Sequence, residues 1–133
     1  MSLLDPRDPR PIHFVGIAGA GMSALAELFA RRGAAITGCD ANPAAAADLE
    51  RLGVRVGPHD AAHVEGARAV VVTSALSQTH PEVVRARELG IPVIRRAEAL
   101  GEVTAGRELI GIAGTHGKTT TTVMTATDRK SVV

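Results

Sequence analysis

The sequence predicts an α/β fold, a doubly wound parallel sheet with helices on both faces, over residues 12–107. Three observations lead there. Short apolar runs alternate with amphipathic segments, turn residues separate the two, and the runs are apolar at consecutive positions rather than at every second one. A strand buried on both faces reads as a continuous apolar run, whereas a strand with one wet face alternates. Strand–helix alternation with short connections then requires a parallel sheet with right-handed crossovers.

Taken in order, residues 12–17 (IHFVGI) form the first strand, and residues 23–32 a helix stopped by Gly33. Residues 35–39 give the second strand, and the alanine-rich stretch 44–52 a second helix ending at Gly53. Residues 55–56 are a thinner third strand, and AVVV at 69–72 a strong fourth. Pro81, following His80, suits the first turn of a helix over 81–89, with Gly90 just past its end. Residues 93–94 supply the fifth strand. The expected order is 3-2-1-4-5, with strands one and four as neighbours.

Composition narrows the function. A chain of 133 residues suits one domain with a sizeable core, and 45% apolar residues exclude a disordered chain. No apolar run is long enough to span a bilayer. A net charge of +1 and 2% aromatics, with no Trp or Tyr, argue against a nucleic-acid partner or a membrane surface. Residues 1–11 (MSLLDPRDPRP) lack a signal peptide's apolar stretch and read as a flexible leader. The single cysteine, Cys39, is expected to be a small buried apolar side chain, and its solitude favours a reducing, cytoplasmic setting. Among 15 basic residues only Lys118 and Lys130 are lysines, so Lys118 stands out as a position that needs a compact ammonium.

Two segments carry chemistry. The first is Gly16-Ile17-Ala18-Gly19-Ala20-Gly21, between strand one and its helix. Amides at a helix start, unobstructed by side chains, hold a diphosphate where the helix dipole favours negative charge. The dinucleotide fingerprint has glycine where Ala18 stands, and Gly19 beside it offers the close approach instead. Asp40, after strand two, is placed to accept hydrogen bonds from a ribose, or to cap the helix starting near Asn42. Thr73 and Ser74 follow strand four at the ligand-binding edge of such sheets. The second segment is Gly114-Thr115-His116-Gly117-Lys118-Thr119-Thr120, after an apolar strand at 108–113. It is a short variant of the phosphate loop: amides cradle a triphosphate, Lys118 reaches its β- and γ-phosphates, and Thr119 ligates magnesium.

A strand, a phosphate loop and part of a helix cannot bury a core of their own. Residues 108–127 are therefore expected to be the truncated start of a second, ATP-binding domain. DRKSVV at 128–133 breaks the apolar texture before it and is expected to be a non-native tail. His59 and His63 lack a third ligand in the sequence and read as surface histidines beside a cap at Asp60. Arg95 and Arg96 read as partners for Glu98 or as a domain contact.

Taken together, HFVGIAGAGMSALAE at 13–27, GCD at 38–40, VVVTSAL at 70–76, HPEVVRARELGIPVIRRAEAL at 80–100 and GIAGTHGKTTTT at 111–122 resemble the Mur ligase family. GAGMS points to its alanine-adding branch, and the likeness covers residues 12–127. The resemblance implies a Rossmann-like first domain that binds the UDP part of UDP-N-acetylmuramate, a central domain that binds Mg-ATP, and a third that closes over L-alanine. ATP phosphorylates the muramyl carboxylate, and the alanine amine attacks the acyl phosphate, a step of peptidoglycan precursor synthesis. Carried over by position, Gly16, Ala18, Gly19, Ala20, Gly21, Met22 and Ser23 face the UDP diphosphate, Asp40 the nucleoside, and Ser74 the same cleft. Gly114–Thr120 cradles ATP. The fragment alone is expected to bind the UDP-sugar without catalysing ligation. Two rivals remain at this stage, an NAD-dependent oxidoreductase and a non-catalytic nucleotide-binding module. The resemblance gives no role to NAD.

Overall fold

The structure is a computed structural model, and it describes residues 3–104. Five parallel strands, β1 (Ile12–Val15), β2 (Ile36–Cys39), β3 (Arg55–Gly57), β4 (Ala69–Val72) and β5 (Val93–Arg95), lie in the order β3-β2-β1-β4-β5. The helices are α1 (Ala20–Arg31), α2 (Ala47–Glu50), α3 (Pro81–Glu88) and α4 (Arg96–Thr104). The expected topology is therefore observed. The second unit at 108–127 and the tail at 128–133 lie outside the described residues.

Strand periodicity divides the core in two. Ile12 and Phe14 of β1 join Ala69 and Val71 of β4 on one face, against Met22, Leu25, Ala26 and Phe29 of α1 and Ala99 and Val103 of α4. Val15, Val70 and Val72 point the other way, toward Val83 and Ala86 of α3. Every residue of β1 and β4 is buried, which explains their unbroken apolar runs. Phe14 and Phe29 meet at 6.1 Å between ring centroids, tilted by 59°.

Three boundaries differ from expectation, each for a local reason. β1 stops at Val15 because Gly16 takes φ +76, which turns the chain out of the sheet. α1 begins at Ala20, three residues before the apolar periodicity starts, because Gly19 supplies an extended N-cap. The alanine-rich second helix breaks into a 3-10 turn at Pro43–Ala46 and a single α-turn at Ala47–Glu50.

The leader, expected to be loose, is docked from Leu3 onward. Leu3 is buried and its amide donates to Glu102 Oε1 at 2.9 Å. Arg68, also buried, donates Nε to the Arg10 carbonyl at 2.7 Å, Nη1 to the Leu3 carbonyl at 2.9 Å, and Nη2 to the Asp8 carbonyl. A guanidinium carries five donors in a fixed fork, enough to gather carbonyls that no strand pairs. The repeated Asp-Pro-Arg shapes those carbonyls: Asp5 and Asp8 each accept the amide two residues on, from Arg7 at 2.9 Å and Arg10 at 3.0 Å.

Candidate functional site

At the carboxyl ends of β1 and β4, where the strand order reverses, lies an open cleft of about 300 Å³. Gly16, Gly19, Ala20, Gly21 and Met22 line it on one side, Thr73 and Arg96 on the other. The glycines shape it. Gly16 turns back so that its amide and that of Ile17 donate to the Cys39 carbonyl at 2.8 and 3.1 Å. Gly38 then accommodates Ile17, whose Cδ1 would stand 2.5 Å from a Cβ at that position. The Gly19 amide closes onto the Gly16 carbonyl at 3.1 Å, and the Ser23 amide onto that of Gly19 at 2.7 Å. Between them, the amides of Ala20, Gly21 and Met22 open the helix without an intrahelical acceptor, and no side chain caps them.

Arg96 is the residue that sequence reasoning missed. Its exposed guanidinium stands over Gly21, where a Cβ would come within 3.0 Å of Nη1. Among the described residues it makes no ion pair with Glu98 or any other acid. The available signal was its place after the fifth strand, the same sheet edge that carries the other site residues. Three amides at a helix start and a guanidinium, all unpaired among the described residues, can together hold an anion with several oxygens.

Other expected residues are placed less simply. Ala18 does not line the cleft; its amide donates to Asp40 Oδ2 at 3.0 Å. Asp40 Oδ1 accepts the Asn42 amide at 2.9 Å. The carboxylate thus holds the glycine loop to the segment after β2; it is not the expected helix cap, since the 3-10 turn at Pro43–Ala46 has Asn42 as its N-cap and no side-chain cap. Ser74 is exposed beyond Thr73 and outside the cleft lining, and Ser23 directs its hydroxyl to the Ala20 carbonyl at 3.1 Å. Gly114–Thr120 lies outside the described residues. A second space of about 160 Å³ lies under the leader, beside Gly33 and Arg68 at the opposite edge of the sheet, away from these groups.

Across the sheet from the cleft, the α3 side holds a polar cluster. Glu82, fully buried in the first turn of α3, accepts His13 Nε2 at 2.7 Å on Oε1. Its Oε2 accepts the Cys39 thiol at 2.7 Å and His59 Nδ1 at 3.0 Å. His13 Nδ1 meets Thr37 Oγ1 at 2.9 Å, and Cys39 Sγ stands 3.0 Å from His59 Nδ1. His80 caps α3 by accepting the Glu82 amide, and its ring meets that of His59 edge-on at 4.9 Å. Burial opposes the charge on Glu82, yet the hydrogen bonds from His13, Cys39 and His59 outweigh it and hold its pKa below the usual carboxylate value. Burial, reinforced by the Glu82 carboxylate, pushes the Cys39 thiol well above its ordinary range. Cys39 is thus buried as expected but polar in its contacts, and His59 is a cluster member rather than a plain surface histidine. Asp60 does cap the turn after it, accepting the Ala62 amide at 2.9 Å. The overlooked signal was His13, a polar residue within an otherwise apolar strand.

A model of the Mur ligase family, catalytic domain, matches residues 11–108. The UDP-N-acetylmuramate–L-alanine ligase of Burkholderia cenocepacia is 51% identical over 117 residues, 86% of this chain and 25% of that protein. The enzyme of the same name from Streptomyces coelicolor is 52% identical over 118 residues, again covering 86% of this chain and 25% of the relative. The chain therefore spans about a quarter of the length of these curated relatives. Among solved structures, the UDP-N-acetylmuramate-alanine ligase MurC of Thermotoga maritima superposes with a TM-score of 0.77 at 36% identity, over 87% of this chain and 28% of that one. A murein peptide ligase of Psychrobacter arcticus gives 0.77 at 37% identity, over 88% and 25%. A putative oxidoreductase of Pseudomonas putida, 20% identical with a TM-score of 0.53 over 77% and 39%, shares the fold alone.

Proposed function

The chain belongs to the Mur ligase family, and from that premise we propose that it is the nucleotide-sugar-binding part of an ATP-dependent ligase joining L-alanine to UDP-N-acetylmuramate. The observation that carries this reading is the cleft at the β1–β4 switch point, where helix amides and Arg96, unpaired among the described residues, face one space. The UDP diphosphate sits there, between Ala20, Gly21 and Met22 on one side and Arg96 on the other. Gly16 and Gly19 let its oxygens approach the backbone. Asp40 takes part by fixing the loop through Ala18, and with Ser74 it is assigned to the nucleoside on the family resemblance alone.

The ATP half of the reading rests on the sequence of Gly114–Thr120. In the whole ligase this loop holds ATP, with Lys118 on the β- and γ-phosphates and Thr119 as a magnesium ligand. The γ-phosphoryl group passes to the muramyl carboxylate, releasing ADP. The amine of L-alanine then attacks the acyl carbonyl, and inorganic phosphate leaves as the amide forms. The reaction belongs to peptidoglycan precursor synthesis and uses soluble small-molecule substrates. Residues 3–104 supply binding and orientation, not the transferred group.

The likeness to a murein peptide ligase favours one further reading, in which the same nucleotide site serves a recycled peptide rather than free alanine. The curated relatives at 51% and 52% identity carry the alanine-adding name, which is why that reaction is preferred. Titration calorimetry of the chain with UDP-N-acetylmuramate, UDP and NADH tests the nucleotide site. Heat from both uridine ligands and none from NADH is expected. NADH binding without a response to either uridine ligand overturns the proposal in favour of an oxidoreductase.

A further inference from the structure

The ligase reading leaves the α3-side cluster without a task. We propose that Cys39, His59 and Glu82 form a binding site for a thiophilic divalent cation, zinc above all. Three different donor atoms converge there: Cys39 Sγ and Glu82 Oε2 at 2.7 Å, Sγ and His59 Nδ1 at 3.0 Å, and His59 Nδ1 and Glu82 Oε2 at 3.0 Å. A thiolate, an imidazole and a carboxylate are a zinc-type donor set, and sulfur and nitrogen disfavour magnesium or calcium.

The spacing is that of hydrogen bonds sharing protons, and a metal replaces those protons. Zinc bonds of about 2.0–2.3 Å in a tetrahedron separate donors by roughly 3.3–3.7 Å. The triangle must therefore expand by about half an ångström. His59, whose side chain is 35% exposed, can supply the movement on its two sides, and small side-chain rotations of Cys39 and Glu82 open the third. The same exposure gives the ion a path inward. On binding, Cys39 loses its thiol proton to solvent, and His59 takes the tautomer with its proton on Nε2, leaving the Nδ1 lone pair for the metal. Glu82 needs no proton change.

The surroundings hold the carboxylate in place for that role. His13 Nε2 fixes Glu82 Oε1, and Thr37 Oγ1 in turn fixes His13 Nδ1. Such outer hydrogen bonds orient a ligand oxygen and are typical of metal centres. His80 keeps Nδ1 on the Glu82 amide, and donor atoms of His59, His80 and Glu82 lie within 4.8 Å of one another. The fourth position thus faces His80 and solvent, where water completes the tetrahedron.

The sequence has one cysteine, so a sulfur-specific signal reports this site and no other. Metal-free chain is titrated with Co²⁺ and followed by absorption, and with Zn²⁺ in competition with a chromophoric chelator. One equivalent of Co²⁺ is expected to bring a thiolate-to-metal charge-transfer band and strong tetrahedral visible bands, both displaced by Zn²⁺. Cys39→Ser removes the charge-transfer band, and His59→Gln, at a partly exposed position that spares the fold, weakens Zn²⁺ by at least about tenfold. Cobalt binding without the sulfur band overturns the proposal, as does Zn²⁺ affinity unchanged by His59→Gln. If Cys39→Ser fails to fold, the wild-type spectrum decides by itself.

Discussion

Two polar regions lie on opposite faces of the sheet, one on the α1 face at the carboxyl ends of β1 and β4, the other on the α3 face beside the carboxyl end of β2. In the first, the amides of Ala20, Gly21 and Met22 and the guanidinium of Arg96 face solvent with no protein acceptor among the described residues. In the second, a buried carboxylate accepts from a thiol and two imidazoles. Donors in excess mark a place meant to be completed by an anion. Donors matched to acceptors mark a place that already holds the chain together, and only an ion able to displace protons can enter it. One sheet thus carries a surface left open at little cost to stability and an interior that stabilises.

That contrast is best broken where it is strongest. Glu82→Gln places an amide NH₂ against the Cys39 and His59 donors, and it is expected to destabilise the metal-free chain by about 3 kcal/mol in urea titration. Nucleotide affinity of the folded molecules should stay as it was; a parallel loss of UDP binding would mean that the two regions are one site. Arg96→Ala should do the reverse, with UDP affinity falling about tenfold by calorimetry and the melting temperature unmoved, since its side chain is exposed. Asp40→Asn lies between the two. Both its oxygens accept amides, so the substitution turns one acceptor into a donor and should cost about 1 kcal/mol of stability, with a smaller loss in affinity. Smallest is Gly21→Ala, whose methyl meets the mobile end of Arg96 at 3.0 Å. Stability should stay within about 0.5 kcal/mol, while UDP affinity drops a few-fold as the guanidinium is displaced.

The fold was legible because burial on both faces writes itself as uninterrupted apolar strands, and because glycines mark helix ends. Boundaries were less so, since α1 opens from its N-cap Gly19 onto Ala20 and Gly21, residues chosen for access rather than periodicity. The glycine loop itself could be read from the sequence, but the partners of a loop are set by tertiary approach. Arg96 is seventy-five residues from Gly21 in sequence, and only strand order puts them together. Asp40 was expected at a ribose or at a helix cap, and its partners in the structure are the backbone amides of Ala18 and Asn42. The Glu82 cluster was hidden for a related reason: His13, Cys39, His59 and Glu82 come from separate elements, and each alone resembles ordinary strand, turn or helix-start chemistry. The leader was misread because Pro, Asp and Arg are usual in loose segments; here one arginine at position 68 organises them.

That arginine has a consequence for the order of assembly. Leu3 is far in sequence from both its partners: Glu102, which accepts its amide, lies 99 residues on, and Arg68, which donates to its carbonyl, lies 65 residues on. A contact of such separation cannot nucleate, because closing the intervening chain precedes any reward. The leader therefore locks last, after β4 has joined β1 and α4 has been made. It acts as a latch thrown over a finished domain: mutations in it should change how fast the domain opens far more than how fast it forms.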